Sequence, residues 1–239
     1  MKKSYDMTKG KIWTTILSFS LPLLGASLIQ QLYNTADIIF VGYFVGKEAT
    51  GAVGASSLLF TCIIGLFTGV SIGVGVAVAQ KIGSKDYDMA SKVSHTAITF
   101  GIFGGVILTI LGYFSAEFLL TIMKTPKEIM TDSVIYLKVY FLSMLPMILY
   151  NIGAGIIRST GNSKTPFYIL IIGGITNVLA NYFFIVILKK GVLGVAIATT
   201  LSQTLTALIV LTYLFKNKTI IKFKTSELKI DFSLLRQIL

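Results

Sequence analysis

Along most of this chain apolar residues come in long blocks, with neither the alternation of a half-buried strand nor the one-sided stripe of a surface helix. Six blocks stand out, at residues 13–45, 54–79, 93–113, 133–157, 166–188 and 193–215. Each is close to or beyond the roughly 20 residues that a helix needs to cross about 30 Å of hydrocarbon. Two of them carry an interruption: the first contains Asp37, and the fourth contains Lys138 near its start. The pattern predicts an all-α, polytopic membrane protein with six transmembrane helices over 13–215, flanked by polar segments at 1–12 and 216–239.

Composition agrees. Of 239 residues, 54% are hydrophobic and only 13% charged, with a mean hydropathy of +0.80. A soluble domain carries about 25% charged residues, so this chain could not cover a water-facing surface. The first block is far longer than the h-region of a cleavable signal peptide. The lone cysteine, Cys62, excludes a disulfide framework and a cysteine zinc site, and reads as a small packing residue.

The net charge of +11 could suggest nucleic acid, but its placement suggests topology instead. With the N-terminus cytoplasmic, fifteen of the 21 Lys and Arg residues fall on inside segments and six outside. That bias predicts a multi-pass cell-membrane protein in this orientation, whose basic segments meet anionic lipid rather than nucleic acid. The acids sort onto the loops and ends as well, leaving Asp37 as the one carboxylate at membrane depth. An acid at a helix centre costs about 2.5–3.5 kcal/mol on insertion scales, so Asp37 is expected to face a polar interior and to have a function.

Other polar residues fall into stripes. Gln30, Asn34 and Asp37 lie seven and three residues apart on one helical face, with Pro22 earlier in the helix permitting a bend. The fifth block offers Asn177 and Asn181, and the sixth offers Thr199, Gln203 and Thr206. The fourth carries Tyr136 and Asn151, with Pro146 as an expected kink. Amide-bearing stripes on separate helices, together with an acid, predict one shared polar cavity. Gly65, Gly69 and Gly73 recur every four residues and predict a face for close helix approach. His95, with no acidic neighbour on its own face, reads as interfacial rather than as a proton relay. Metalloprotease, nucleotide-binding and serine-hydrolase motifs are absent, so the chain does not read as an enzyme, and uphill transport would need an ion gradient or a partner.

Four stretches together carry a family resemblance. "SLPLLGASLIQQLYNTADIIFVGYFVG" resembles the first helix of the multidrug and toxic compound extrusion (MATE) transporters, with its proline, glutamine and D-x-x-x-V-G. "AVAQKIGSKDYDMA" is similar to a cytoplasmic-side loop of that family, and "IIRSTGNSKTPF" to its R-x-x-G-x-x-x-T-P turn. "NVLANYFFIVILKKGVLGVAIATTLSQ" is similar to its N-x-x-x-[DN] followed by G-V-x-G-x-A-x-A-T.

The resemblance implies twelve helices in two six-helix lobes, of which this chain carries the first. Its tail, "ELKIDFSLLRQIL", resembles the start of a connector at 216–239 toward a C-terminal lobe that is missing here. The implied function is export of cationic or amphiphilic drugs and metabolites by alternating access, with no cofactor beyond H+ or Na+ as coupling ion. By the same resemblance Asp37 is the coupling carboxylate, with Gln30, Tyr136, Asn151, Asn177 and Thr199 as hydrogen-bonding partners. Asn181 stands where one subgroup has a second aspartate, which argues against a two-carboxylate mechanism. Two alternatives stay open at this stage: a lipid-linked-oligosaccharide flippase of the same superfamily, and a membrane assembly protein without transport.

Overall fold

The computed structural model describes residues 12–216, 221, 223–224 and 227–238. Side chains at 12, 58, 62, 237 and 238 lie outside that set, and with them the packing role read for Cys62. The described residues form helices α1 (Ile12–Phe44), α2 (Lys47–Gly83), α3 (Tyr87–Ile122), α4 (Lys127–Phe141), α5 (Met144–Ser159), α6 (Lys164–Asn181), α7 (Gly191–Lys216) and α8 (Phe232–Ile238). No strand occurs among them. All six apolar blocks are helical, and each helix extends to or beyond the uncharged core that marks it in the sequence.

The fourth block is a bent pair. α4 and α5 meet at 44° and cross as one broken span, so five single helices and this pair give six crossings. The cause is local: Pro146 has no N–H for the carbonyl of Leu142, and the helix breaks at Leu142 and Ser143. Ser143 restores some bonding, its hydroxyl donating to the Tyr140 carbonyl at 2.6 Å. Pro22, by contrast, sits within an unbroken α1. The fifth span also changes character, since α6 runs into a π-helical stretch at Tyr182–Ile187 directly after Asn181. Such a stretch shifts the helical register, and π-bulges recur at functional sites.

α5 forms the centre, packed against α2, α3 and α7, while α6 lies between α1 and α7. Close approach of the bent pair to α3 depends on α3 glycines. A Cβ at Gly105 would lie 2.9 Å from the Leu145 Cα, and one at Gly112 would lie 2.0 Å from the Phe141 ring. The small-residue contact expected from Gly65 and Gly69 is not made in this lobe: both are exposed, and a Cβ at either would meet nothing within 4 Å. α2 instead approaches α5 through Ser71, whose backbone oxygen would lie 2.8 Å from a Cβ at Gly155. Glycine spacing marks where a helix can be approached, and the partner decides which face is used.

Six crossings put the segments before α1 and after α7 on one side of the membrane. The α2–α3 and α5–α6 turns lie on that side too. There the described part of the final segment folds back on the helix ends, with Ile221, Phe223 and Leu234 buried in the core cluster built on α2, α3, α5 and α7.

Candidate functional site

α1 is exposed along most of its length, and its buried residues are Tyr33, Asp37 and Val41, spaced every four positions. That stripe faces α6 and α7. Asp37 is 6% exposed, and its carboxylate is held from both neighbours. From α6, Asn181 Nδ2 donates to Asp37 Oδ1 at 2.5 Å. From α7, Thr199 Oγ1 donates to Asp37 Oδ2 at 3.1 Å. Asn177, one turn before Asn181, receives the same amide group on its Oδ1 at 3.2 Å. The two asparagines are fully buried.

The knot thus joins three helices through an acid, two amides and a hydroxyl. A second contact between α1 and α7 lies one turn away, where Gln203 Nε2 donates to the Tyr33 hydroxyl at 3.4 Å. Two atoms of the knot are buried without a partner, Asn177 Nδ2 and Asn181 Oδ1. A spare donor and a spare acceptor beside a carboxylate are unusual, since buried polar groups in proteins are overwhelmingly paired. Chemically, the Asp37 carboxylate, the Asn181 carbonyl oxygen and the Thr199 hydroxyl are the oxygen donors that a hard monovalent cation takes. No cluster of three or more His, Cys, Asp or Glu suited to a metal ion occurs among the described residues.

Of the sequence-predicted residues, the structure brings together Asp37, Asn177, Asn181 and Thr199. It does not bring in Asn34, which is exposed, and Gln30 is only half-buried. Two stripes pass through Asp37 on α1, and the one that turns inward is Tyr33–Asp37–Val41 because it alone offers apolar surface to the neighbouring helices. Tyr136 is buried beside the site in an aromatic group with Phe60 and Tyr140, whose rings stack at 3.6 Å. It packs there and makes no hydrogen bond to Asp37. Asn151 lies elsewhere: its amide donates to the Met147 carbonyl at 2.9 Å, and its own carbonyl accepts from Ser71 at 2.5 Å. It serves the contact between α2 and α5. Tyr33 was missed, and the signal that could have found it is its position one turn before Asp37.

Next to the knot an apolar cavity of about 430 Å³ opens between α1 and α6, lined by residues including Ile29, Leu32, Tyr33, Ala36, Ile175 and Val178. Tyr33 belongs to both places, with its ring on the cavity and its hydroxyl on Gln203.

Known proteins share this arrangement of helices. A family model described as MatE matches residues 22–183. The chain is 32% identical over 235 residues to the probable multidrug resistance protein YoeA of Bacillus subtilis, covering 95% of this chain and 51% of that protein. It is 25% identical to the multidrug export protein MepA of Staphylococcus saprophyticus, covering 94% of this chain and 50% of that one. Among solved structures, a MOP superfamily transporter from Pyrococcus furiosus superimposes with a TM-score of 0.92 at 28% identity, covering all of this chain and 53% of that one. An outward-facing multidrug resistance MATE transporter gives 0.91 at 28% identity, again over all of this chain and 53% of the other. The chain spans about half the length of the relatives it matches, as one lobe of their fold. With a family model over most of its length and a helix arrangement that superimposes throughout, the chain belongs to the MatE family of membrane transporters.

Proposed function

We propose that this chain is the first lobe of an ion-coupled exporter of cationic or amphiphilic organic molecules, with Asp37 as the coupling group and H+ or Na+ as the coupling ion. The observation that carries the proposal is the Asp37 knot: a buried carboxylate held by neutral donors only. A buried acid without a counter-ion is costly, and a bound cation or proton relieves that cost. Asn181 suits both states. Its amide nitrogen donates to the ionised acid, and its spare oxygen can ligate a cation or accept from the protonated acid once the amide turns.

Relatives named as export and resistance proteins support the direction and the class of cargo. They also support a second lobe of similar size, against which this one rocks to give alternating access. Exchange of one proton for one monovalent cation moves no net charge, so each pH unit supplies about 1.4 kcal/mol, or tenfold accumulation.

The test is efflux of a fluorescent organic cation from liposomes containing the whole transporter under an imposed pH or Na+ gradient. Export should collapse when the gradient is dissipated and reverse when it is inverted. Export indifferent to both gradients would end the coupling proposal. For orientation, we place the N-terminus in the cytoplasm on the distribution of basic residues. Cysteines at Lys85 and Lys164 should then react with an impermeant thiol reagent from inside only, and one at Lys190 from outside only; the inverse pattern would overturn that orientation.

A further inference from the structure

His95 lies far from the Asp37 knot, near the start of α3, and is 2% exposed. Both ring nitrogens are engaged. Nδ1 is 2.7 Å from the Ser91 carbonyl oxygen, which can only accept, so Nδ1 carries the hydrogen. Nε2 is 3.0 Å from the backbone N–H of Lys224, which can only donate, so Nε2 is the bare nitrogen. The imidazole is therefore neutral and in one defined tautomer, and its acceptor is used to hold a residue 129 positions away.

The rest of the contact completes a clasp. Phe223 lies against the imidazole with ring centroids 4.9 Å apart. Thr96 touches the same segment twice, its hydroxyl donating to the Lys229 carbonyl and accepting from the Asp231 N–H, each at 3.4 Å. These are the polar bonds between α3 and the segment that follows α7, and the shortest of them requires an unprotonated Nε2.

We infer that His95 is a proton-operated clasp for the segment at 221–231. Neutral, it ties the segment to α3 and makes it part of this lobe. Doubly protonated, it presents an N–H to the Lys224 N–H; the bond is lost, two donors oppose each other, and the segment lets go. Docking therefore holds at high pH and weakens as pH falls.

Other charged groups around the clasp do not supply this switch. They are Lys81 on α2, Asp86 and Asp88 at the start of α3, Lys92 on α3, Arg158 on α5, Arg236 on α8, and Lys224, Glu227, Lys229 and Asp231 on the segment. Glu227, the acid whose charge couples to the imidazole, is held below the ordinary carboxylate range by its hydrogen bond from Lys224. The hydroxyl and backbone N–H of Ser233 keep Asp231 low in the same way. Both acids thus stay ionised between about pH 5 and 8, the range in which imidazole changes charge. Ionised Glu227 partly favours the imidazolium, and this pull acts in the direction of release.

The test uses the intact protein in lipid nanodiscs, with Cys62→Ser and spin labels on Asp88→Cys and Phe232→Cys, two exposed positions on α3 and α8. At pH 8 one narrow distance is expected. At pH 5.5 a second, broader distance should appear, with the detached population up by about tenfold. His95→Gln, which can donate and accept but cannot titrate, should keep the narrow distance at both pH values. His95→Lys should show the broad distance already at pH 8. A wild-type distance distribution unchanged between the two pH values would overturn the inference, whatever the variants do. So would a His95→Gln protein that responds to pH as the wild type does.

Discussion

α1 and α5 are neighbours in one helical lobe, yet they are held in opposite ways. α5 buries residues 147–150 and 152–157 almost without a break, most of them apolar. α1 buries Tyr33, Asp37 and Val41, and shows Leu17, Leu21, Leu24, Leu28 and Leu32 to its surroundings. The attachment of α5 is apolar contact, which is indifferent to charge. The attachment of α1 depends in part on two polar contacts, and one of them involves a carboxylate whose bonds change with its ionisation. A protein built this way can alter how α1 is held without disturbing the core around α5.

The largest effect should come from the apolar side of that contrast. At Gly112 a side chain has no room, because its Cβ alone would lie 2.0 Å from the Phe141 ring. Gly112→Leu should separate α3 from α4 and cost more than the roughly 1–3 kcal/mol of ordinary overpacking. Membrane abundance and melting temperature should both drop sharply. Normal abundance would mean that the bent pair can move aside.

Next is the polar side. Asn181→Leu keeps the volume but removes the amide, leaving Asp37 Oδ1 short of a donor at a cost of about 1–3 kcal/mol. Gradient-driven efflux should fall at least tenfold while abundance stays within about twofold. Thr199→Val, losing one weaker bond, should move the ion concentration for half-maximal transport by roughly three- to tenfold. Equal losses of abundance and efflux in either variant would place these residues with the scaffold, and the contrast between α1 and α5 would disappear.

The smallest effect belongs to Asn34. Being exposed and outside the knot, Asn34→Ala should change stability by less than about 0.5 kcal/mol and leave the ion dependence of transport unaltered. A shift as large as that of Thr199→Val would restore Asn34 to the site.

The fate of Asn34 also shows how far the sequence could be read. The six spans were legible because long uncharged runs leave a chain few choices in lipid, where every backbone group must bond internally. The bend at Pro146 was legible because proline removes one specific bond. Asp37, Asn177, Asn181 and Thr199 could be named because a charged or amide group at membrane depth needs a partner. Which residues of α1 turn inward was not legible. Gln30–Asn34–Asp37 and Tyr33–Asp37–Val41 are equally good stripes by spacing, and packing against α6 and α7 decides between them. Asn151 was misplaced for a related reason, since spacing beyond the kink does not say which neighbour the second half of a bent span will face. The His95 clasp could not be seen because its partner lies 129 residues on and is a backbone N–H, which no side-chain pattern reveals.

The central claim is that the charge on Asp37, rather than its shape or hydrogen bonding, couples the ion gradient to transport. Asp37→Asn isolates charge, because asparagine keeps the size and can still bond Asn181 and Thr199 but cannot ionise. The variant should reach the membrane at the parental level or slightly above it, since the desolvation cost of the acid is gone. Efflux and abundance measured together in the whole transporter should show a normal amount of protein, no gradient-driven export, and substrate binding that no longer depends on pH or Na+. Export at the parental rate from an equally abundant Asp37→Asn protein would contradict the account.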